Sequence, residues 1–413
     1  INAMSTAQRP SIETRFGWIV VLACHVMVVV AFGVSYMMVI GIKPVATEFG
    51  WPRWVPSLGY ASVMLGSGIG GIAMGAWSDR RGMGGPAFTG AIFIGLGAMT
   101  MSLVVDQWTF LATSFIMLGV LGNGAVLAPL MTLTSRWFDR RRGLAIAITG
   151  SGQGLAGALW PTIFQAGLED VGWRQVWFWY GVFALFALTP LVLILRHPPP
   201  VPPRPTPGLS MGSQDESHGL KESPRLILTL LSIAIVGCCI AMAMPLVHIV
   251  SHASDLGYTA AHGARMLSIL LGCAFVSRLF FGWFSDRIGG LRTILIGSIM
   301  QAVVLSFFIW NTELVTLYVL SALFGAVFGG IVPAYAMSVR DIFPARNAGG
   351  YIGVVLLFGT VGMAAGGWLG GLINDLTGYY KYAFATGLVS NVINLIIIIA
   401  LIRLGGSRRD ARS

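Results

Sequence analysis

Apolar stretches of about 20 residues recur along the whole chain, and this repetition constrains the fold more than any other sequence feature. A run of that length crosses the hydrocarbon core of a bilayer as an α-helix, whereas membrane β-strands alternate polar and apolar residues over ~10-residue segments. Only 10% of the 413 residues are charged, against about 25% in a soluble domain. The sequence therefore predicts an all-α membrane protein with twelve transmembrane helices. The predicted spans cover residues 17–41, 55–77, 87–105, 108–135, 142–166, 174–196, 226–252, 261–284, 291–311, 314–340, 347–373 and 379–403.

The Lys and Arg residues are distributed unevenly between the two sets of connections. Twenty of the 26 fall in one set, five fall in the other, and Arg278 lies within a span. Since loops rich in Lys and Arg stay in the cytoplasm, we expect both termini to be cytoplasmic. The net charge of +10 then reflects membrane topology, and we expect no nucleic-acid partner.

The stretch 197–225 is the only long segment without an apolar run, and it contains repeated prolines followed by polar residues. Such a composition cannot pack a core and is typical of a linker. We expect it to be cytoplasmic and to separate an N-terminal six-helix bundle at 17–196 from a C-terminal six-helix bundle at 226–403. The segments 1–16 and 404–413 are predicted to be cytoplasmic ends, and Ile1-Asn2-Ala3 before Met4 is interpreted as a cloning remnant.

The two halves repeat a loop motif, Gly-x-x-Ser-Asp-Arg-x-Gly, at matching places. It occupies residues 75–82 after the second span and residues 282–289 after the eighth span. Glycine lets helices approach closely, and the acidic side chain can accept from a neighbouring helix N-terminus. We predict gating and structural roles for the charged motif residues and for one arginine after the fourth span: Asp79, Arg80, Asp286, Arg287 and Arg136.

The two six-helix halves, the central linker and the repeated motif resemble the major facilitator superfamily over essentially the whole chain. The segments 137–145 and 372–382, with Ser35-Tyr36 and Ile42-Lys43-Pro44, are similar to the corresponding segments of monocarboxylate transporters. The resemblance implies two pseudosymmetric bundles, a cavity between them at the membrane midplane, and transport by alternating access. It also implies a monomer, and bacterial relatives with this layout imply a bacterial inner membrane.

Arg278 is the main candidate for a binding site. It lies eight residues before Asp286, which at about 1.5 Å per residue is roughly 12 Å inside the membrane end of a helix. An ionised guanidinium at that depth is costly unless it pairs or lines water, and it binds carboxylates through two parallel hydrogen bonds. In monocarboxylate transporters an arginine four residues before a glycine in the eighth helix pairs with the substrate, and Arg278 precedes Gly282 by four. A salt bridge within the bundle or a contact with a helix end is the alternative.

Further residues within the spans are candidates for the same cavity. In this superfamily spans one, four, seven and ten line the cavity, and we predict substrate contacts for Asn123, Tyr335 and Phe358. Helix packing is the alternative for each of them. His25, in span one, is the candidate for proton coupling because histidine titrates near neutral pH, and an interhelical hydrogen bond is its alternative.

Two histidines one turn apart, His248 and His252, lie near Asp255 at the outer end of span seven. They predict an external gate or an exposed rim, with a weak metal pair as the alternative. No nucleotide-binding loop, metal-binding helix motif or nucleophile triad stands in the sequence. We therefore expect no enzymatic activity, no cofactor and no metal.

The sequence predicts a secondary active transporter of small, lactate-like monocarboxylates, coupled to a proton. Animal monocarboxylate transporters carry an aspartate one turn before the arginine and a lysine deep in span one, where this chain has Ala274 and Ile40. Exchange of two anions, as in oxalate–formate carriers, is therefore an alternative, as are a drug efflux pump and a non-transporting membrane protein. The implied partners are a small organic anion, a proton or counter-anion, and the lipid bilayer.

Overall fold

The computed structural model describes residues 12–200, 224–343 and 345–406, and all regular structure within them is helical. Most of the predicted linker 197–225 and of the predicted ends 1–16 and 404–413 lies outside the described residues. The α-helices are α1 (Arg15–Phe49), α2 (Trp54–Arg81), α3 (Gly84–Ser102), α4 (Gln107–Ala112), α5 (Leu127–Trp137), α6 (Arg142–Leu195), α7 (Pro224–Asp255), α8 (Ala260–Ile288), α9 (Gly290–Trp310), α10 (Leu314–Phe328), α11 (Ile331–Ile342), α12 (Ala345–Thr377) and α13 (Tyr380–Gly406).

Eleven helical segments of the described chain are long and apolar enough to cross a membrane. One of them, α6, has 54 residues, too many for one crossing of the hydrocarbon core. It consists of two helices that pack on each other, since the rings of Trp160 and Tyr180 lie 5.3 Å apart. Gly172 interrupts it with a φ of +79°, a conformation that glycine adopts readily. Because α6 contains both the fifth and the sixth predicted spans, the prediction of an all-α fold with twelve spans is confirmed.

Some helices extend beyond the predicted spans. α1 continues to Phe49 instead of ending near residue 41, and it passes through Pro44. It ends at Gly50, which adopts the left-handed conformation (φ +65°) and donates its N–H to the carbonyl of Ala46. The apolar run thus marks the part of the helix that lies in lipid, while the capping glycine marks where the helix ends.

The helices form two halves, α1–α6 and α7–α13, which meet along two seams. At one seam α2 packs on α12, at the other α6 packs on α8, and α1 approaches α7 between them. In the second seam Thr162 and Ser268 share a 3.0 Å hydrogen bond. A Cβ atom on Gly157 would lie only 2.5 Å from Leu271, so glycine allows the close approach there.

The fourth membrane helix of each half is broken near its middle. In the first half a π-helical stretch, Thr113–Gly122, and a short 3₁₀ turn separate α4 from α5, and in the second half Gly329 follows the end of α10. At both breaks a glycine lets the broken helix and its neighbour approach closely. A Cβ atom on Gly70 would lie 2.2 Å from the carbonyl oxygen of Val120, and one on Gly329 would lie 2.2 Å from that of Ala274. Irregular backbone at this depth is tolerated because it is buried in protein.

Candidate functional site

Arg278 lies on α8, partly buried against the break between α10 and α11. Its Nε donates a 3.2 Å hydrogen bond to the carbonyl oxygen of Gly329. Four ion pairs occur in the described parts of the chain, and none of them involves Arg278. The salt bridge considered as an alternative is therefore not formed with any described side chain. The other alternative, a helix-end contact, is formed, because Gly329 caps the end of α10. The terminal guanidinium nitrogens have no hydrogen-bond partner among the described residues.

The carbonyl of Gly329 is available to Arg278 because of Pro333. In a continuous helix this carbonyl would accept the N–H of residue 333, and proline has no N–H. An unpaired carbonyl inside the membrane costs several kcal/mol, so it needs another donor. Arg278 provides that donor. The Gly-Gly-Ile-Val-Pro order at 329–333 is a sequence signal for this contact that the span pattern alone does not reveal.

Tyr36 lies near Arg278 where α1, α6 and α8 meet. Its hydroxyl donates a 3.2 Å hydrogen bond to the carbonyl oxygen of Gln153, and that hydroxyl would lie 2.8 Å from a Cβ atom on Gly157. The side chain is 5% exposed. Tyr36 has no role in the sequence prediction beyond a family-like motif, and the structure places it among the site residues.

Asn123 lies at the break of the first half and contacts the same part of α1. Its Nδ2 donates a 3.2 Å hydrogen bond to the hydroxyl of Ser35, which precedes Tyr36. Its Oδ1 is buried and accepts no hydrogen bond from the described residues. The structure thus brings Asn123 close to the α1 side of the Arg278 site, and its contact with a substrate stays a prediction.

The two halves separate toward the end of the molecule that carries most of the Lys and Arg residues, here called the Arg-rich end. Cβ atoms on Gly154 and Gly68 would still contact the opposite half, at 3.0 Å from Phe275 and 3.3 Å from Leu357. Closer to the Arg-rich end, a Cβ atom would meet nothing within 4 Å on several helical glycines, among them Gly75, Gly282 and Gly353. Arg278 comes one turn after Phe275, so it lies where this opening begins.

Charged residues join the halves at the opposite, Arg-poor end. Arg53, just before α2, pairs with Asp255 at the end of α7, and Lys43 lies 3.2 Å from the same carboxylate. The carboxylate of Asp375 accepts the backbone N–H groups of Arg53 (3.0 Å) and Trp54 (2.7 Å). The hydrogen bond with Asp255 raises the pKa of Arg53 above its ordinary value, so the cation of this pair persists over the whole working pH range. These contacts hold the two halves together at the Arg-poor end.

His248 and His252 are buried on α7 beneath this charged cluster. His248 donates a 2.9 Å hydrogen bond from Nε2 to the carbonyl of Gly367 and stacks on Tyr380 at 5.1 Å. His252 packs edge-on against Phe384 at 5.1 Å. In the described ranges no three His, Cys, Asp or Glu side chains are grouped to hold a metal ion. Because both histidines are buried, the prediction of an exposed rim is wrong, and their placement at the Arg-poor end fits the gate interpretation.

His25 connects α1 to α6. Its Nδ1 lies 2.7 Å from the carbonyl oxygen of Ile148. A carbonyl can only accept, so Nδ1 carries the hydrogen and the lone pair of the neutral ring is on Nε2. This is the interhelical hydrogen bond that the sequence left open as an alternative, and the role of His25 in proton coupling stays a prediction.

Tyr335 and Phe358 have different surroundings from the residues near Arg278. Tyr335 is fully buried, and its hydroxyl donates a 2.5 Å hydrogen bond to Asn394 of α13, which in turn donates to the hydroxyl of Ser298. This packing role is the alternative that the sequence left open for Tyr335. Phe358 is 42% exposed on α12. The structure does not bring either side chain into contact with Arg278.

The two copies of the loop motif make different contacts. In the first half Asp79 pairs with Arg136 at 2.6 Å, and both side chains are about half exposed, so the pair contributes ~0.2–1 kcal/mol. In the second half the guanidinium of Arg287 lies 4.0 Å above the ring of Trp283. Asp286 forms no ion pair with any described side chain. The ion pair of Asp79 and the ring contact of Arg287 thus both lie within their own halves in this conformation.

Comparisons with known proteins agree with this architecture. The family model described as Major Facilitator Superfamily matches residues 24–275 and, again, residues 229–412. Monocarboxylate transporter 13 of Bos taurus is 27% identical over 379 residues, which cover 89% of this chain and 85% of the relative. The MFS-type transporter pynF of Aspergillus niger is 24% identical over 318 residues, covering 76% and 71%. The solved structure of a peptide transporter, POT, has the same fold, with a TM-score of 0.72 at 14% identity over 93% of this chain and 94% of that one.

Proposed function

The chain belongs to the Major Facilitator Superfamily, and we propose that it is a secondary active transporter of small, lactate-like monocarboxylates. The observation that carries this proposal is Arg278, a cation inside the membrane between the halves whose one hydrogen bond among the described residues is to a backbone carbonyl. A cation at this depth favours an anion entering from the opening. The 27% identity to a monocarboxylate transporter supports the same substrate class.

The substrate carboxylate binds the guanidinium from the side that the protein leaves unpaired. With Nε bonded to Gly329, Arg278 retains its two terminal nitrogens, which can donate parallel hydrogen bonds to the two carboxylate oxygens. Asn123 is a proposed further contact because its buried Oδ1 lacks a donor. Tyr335 would contact the substrate only after releasing Asn394, and Phe358 contributes an apolar wall as the halves close.

Transport proceeds by closing the open end and opening the closed one. Neutralisation of Arg278 by the carboxylate removes the cost of enclosing a bare cation, so the loaded site closes more readily than the empty one. Opening at the Arg-poor end requires Arg53 and Asp255 to part, while Asp79 and Arg136 stay together within the first half. We propose that the Arg-rich end and both termini are cytoplasmic, in a bacterial inner membrane, and that the carrier acts as a monomer.

Coupling to a proton is the proposed energy source, with His25 as the proton carrier, and exchange of two anions is the second candidate. Exchange is favoured by the residues near Arg278, because position 274 is an alanine and no described carboxylate pairs with the arginine. Proteoliposomes separate the two. Symport alkalinises the medium as substrate enters, and His25→Gln abolishes that change. Exchange gives counterflow without alkalinisation.

Ligand-dependent thermal stabilisation of the purified protein tests the anion site. Wild type, Arg278→Ala and a matched control, Arg265→Ala, are heated with monocarboxylates, dicarboxylates, tricarboxylates, sugars and cationic drugs. Arg265 is an exposed residue of the same helix near the Arg-poor end. A ligand that binds only the folded state adds about 2.7 kcal/mol of stability at 100 times its Kd. We expect monocarboxylates to stabilise wild type and Arg265→Ala but not Arg278→Ala.

Equal stabilisation of all three proteins by carboxylates would place the anion site away from Arg278. Stabilisation by cationic or neutral compounds alone, again equal in the three proteins, would favour the drug efflux alternative over monocarboxylate transport.

A further inference from the structure

Two adjoining cavities lie on the first half at the Arg-rich end, apart from the opening between the halves. The first has a volume of about 370 Å³ and is lined by Arg81, Arg196 and residues 82–85 at the start of α3. The second has a volume of about 700 Å³ and is lined mainly by apolar side chains of α3 and α6. Phe88 and Arg196 line both cavities. A polar cavity therefore continues directly into an apolar groove.

The smaller cavity is positively charged. Arg81 and Arg196 are exposed, and neither forms an ion pair with an acidic side chain of the described chain. Arg196 lies over the start of α3, because a Cβ atom on Gly84 would be 2.9 Å from its Cγ. No side chain caps the N-terminus of α3, which adds positive potential at the same place. Two guanidinium groups favour an anion with several acceptor oxygens, such as a phosphate.

In the second half the start of the corresponding helix, α9, lies against a carboxylate. The residue after the motif arginine is Ile288 instead of Arg81, and the N–H of Gly290 at the start of α9 donates a 3.1 Å hydrogen bond to the carboxylate of Asp341. In the first half the residue after the arginine of the fourth membrane helix is Trp137 and not an aspartate. The first half therefore has Arg81 where its repeat has an isoleucine, and it lacks the carboxylate that pairs with the helix start in the repeat; the arginine of the repeat, Arg292, comes two residues after Gly290.

The larger cavity indicates that the anion carries an acyl chain. Its apolar side chains are exposed, Phe186 to 79% and Leu193 to 61%, and they belong to helices that cross the membrane. A soluble phosphate would fill only the smaller cavity, whereas a phospholipid would fill both. We propose that this surface binds an anionic phospholipid of the leaflet at the Arg-rich end. Its phosphate lies between Arg81 and Arg196, and one acyl chain lies along the groove past Phe88.

Native mass spectrometry of the detergent-purified full chain, titrated with phosphatidylglycerol or phosphatidylcholine, tests this site. The double variant Arg81→Gln/Arg196→Gln is compared with Arg292→Gln/Arg403→Gln, which removes two exposed arginines from the Arg-rich end of the second half. We expect wild type to prefer phosphatidylglycerol, because the choline cation of phosphatidylcholine is repelled by the two arginines. The first double variant binds phosphatidylglycerol about tenfold more weakly, as expected for the loss of a charge-assisted hydrogen bond, and the second binds it like wild type.

A third variant tests the groove without touching either arginine. Thr189 is an exposed residue that lines the larger cavity, and Thr189→Trp fills part of that cavity. We expect weaker binding of phosphatidylglycerol at an unchanged melting temperature, which separates loss of the site from misfolding. Unchanged binding would show that no acyl chain lies along this groove.

Three outcomes would overturn the site. Equal weakening by the two double variants would indicate a general basic surface. Equal affinity of wild type for the two lipids would show that the arginines do not select the headgroup. Full competition by glycerol phosphate at the same concentration as the lipid would assign the two arginines to a soluble anion.

Discussion

The two halves of the molecule share one scaffold and differ in the residue at its centre. Each half breaks its fourth membrane helix, and the helix that ends in the loop motif lies against that break. In the second half this helix places Arg278, eight residues before Asp286, against Gly329. In the first half the residue eight positions before Asp79 is Gly71, and a Cβ atom there would lie 3.8 Å from a carbonyl oxygen of the broken helix.

This difference shows that the repeated residues build the same helix packing in both halves, while the one cation of the site, Arg278, stands where the repeat is not kept. Guanidinium groups in both halves would face one another across a single cavity and would repel each other. They would also match a ligand with two carboxylates. A single cation on one side, with Gly71 at the corresponding place, matches a ligand with one carboxylate and leaves the first half free to contact the rest of it.

Replacement of the central residue should have the largest effect. We expect Arg278→Gln to lower substrate affinity by about 100-fold or more, since two charge-assisted hydrogen bonds are lost and each tenfold corresponds to about 1.4 kcal/mol. Gly71→Ala, at the matching place, should leave affinity within about twofold, because its Cβ atom would make only ordinary van der Waals contacts. Uptake of radiolabelled substrate into proteoliposomes measures both. Comparable losses in the two variants would show that the halves contribute equally.

Packing glycines should matter equally in both halves. Gly329→Ala and Gly70→Ala each place a Cβ atom 2.2 Å from a backbone carbonyl oxygen, so we expect each to destabilise the protein by ~1–3 kcal/mol or more. Gly282→Ala and Gly75→Ala meet nothing within 4 Å and should be neutral or stabilising by up to ~1 kcal/mol. Thermal unfolding in detergent ranks the four. Destabilisation by only one of Gly329→Ala and Gly70→Ala would show that the two halves do not share the same helix packing.

The prolines after the two breaks should affect binding differently. Pro333→Ala restores an N–H for the carbonyl of Gly329, so Arg278 loses its acceptor and its fixed orientation. We expect about tenfold weaker substrate binding, the effect of one charge-assisted hydrogen bond. Pro129→Ala makes the corresponding change in the first half, where no arginine depends on it, and should bind substrate like wild type. Isothermal titration can compare them, and equal affinities would show that the proline does not position Arg278.

The loop motifs should give the smallest difference. Asp79→Asn removes the partner of Arg136 and should lower stability by ~0.2–1 kcal/mol, with a smaller effect at high salt. Asp286→Asn removes no ion pair with a described side chain and should leave stability unchanged. Melting temperatures at low and high salt measure both effects. A larger loss from Asp286→Asn would mean that this carboxylate has its main role in another conformation.

The spans, the repeat and the depth of Arg278 could be predicted because each depends on local composition and spacing. The direction of side chains within a span could not, since lipid and bundle interior are both apolar and helices of this kind are apolar all round. Tyr335 lies in the predicted span, yet its hydroxyl turns to Asn394 within the second half. In the same way His25 bonds to Ile148 of the neighbouring helix.

The contact between Arg278 and Gly329 lies between these cases. Pro333 predicts that the carbonyl of Gly329, four residues earlier, lacks its helical N–H partner. Only the packing of α10 against α8 shows that Arg278 is the donor that reaches this carbonyl. The side on which the halves separate could not be predicted either. One sequence must support both conformations of a carrier, so its pattern cannot favour one end exclusively.

Arg278 also subjects the proposed carrier to the membrane potential, which acts on an interior charge with about 2.3 kcal/mol per 100 mV. The empty site has one positive charge, whereas the site with a bound monocarboxylate is neutral. In an exchange cycle only the neutral form changes sides, so the rate of counterflow would not depend on voltage. In proton symport the loaded form carries the proton as well and therefore keeps one positive charge, and the empty, charged form must also return. A potential that is negative inside favours inward movement of the loaded form and slows the return of the empty form to the outward-facing state. Whether the transport rate depends on the membrane potential is thus determined by whether the carrier changes sides without bound substrate.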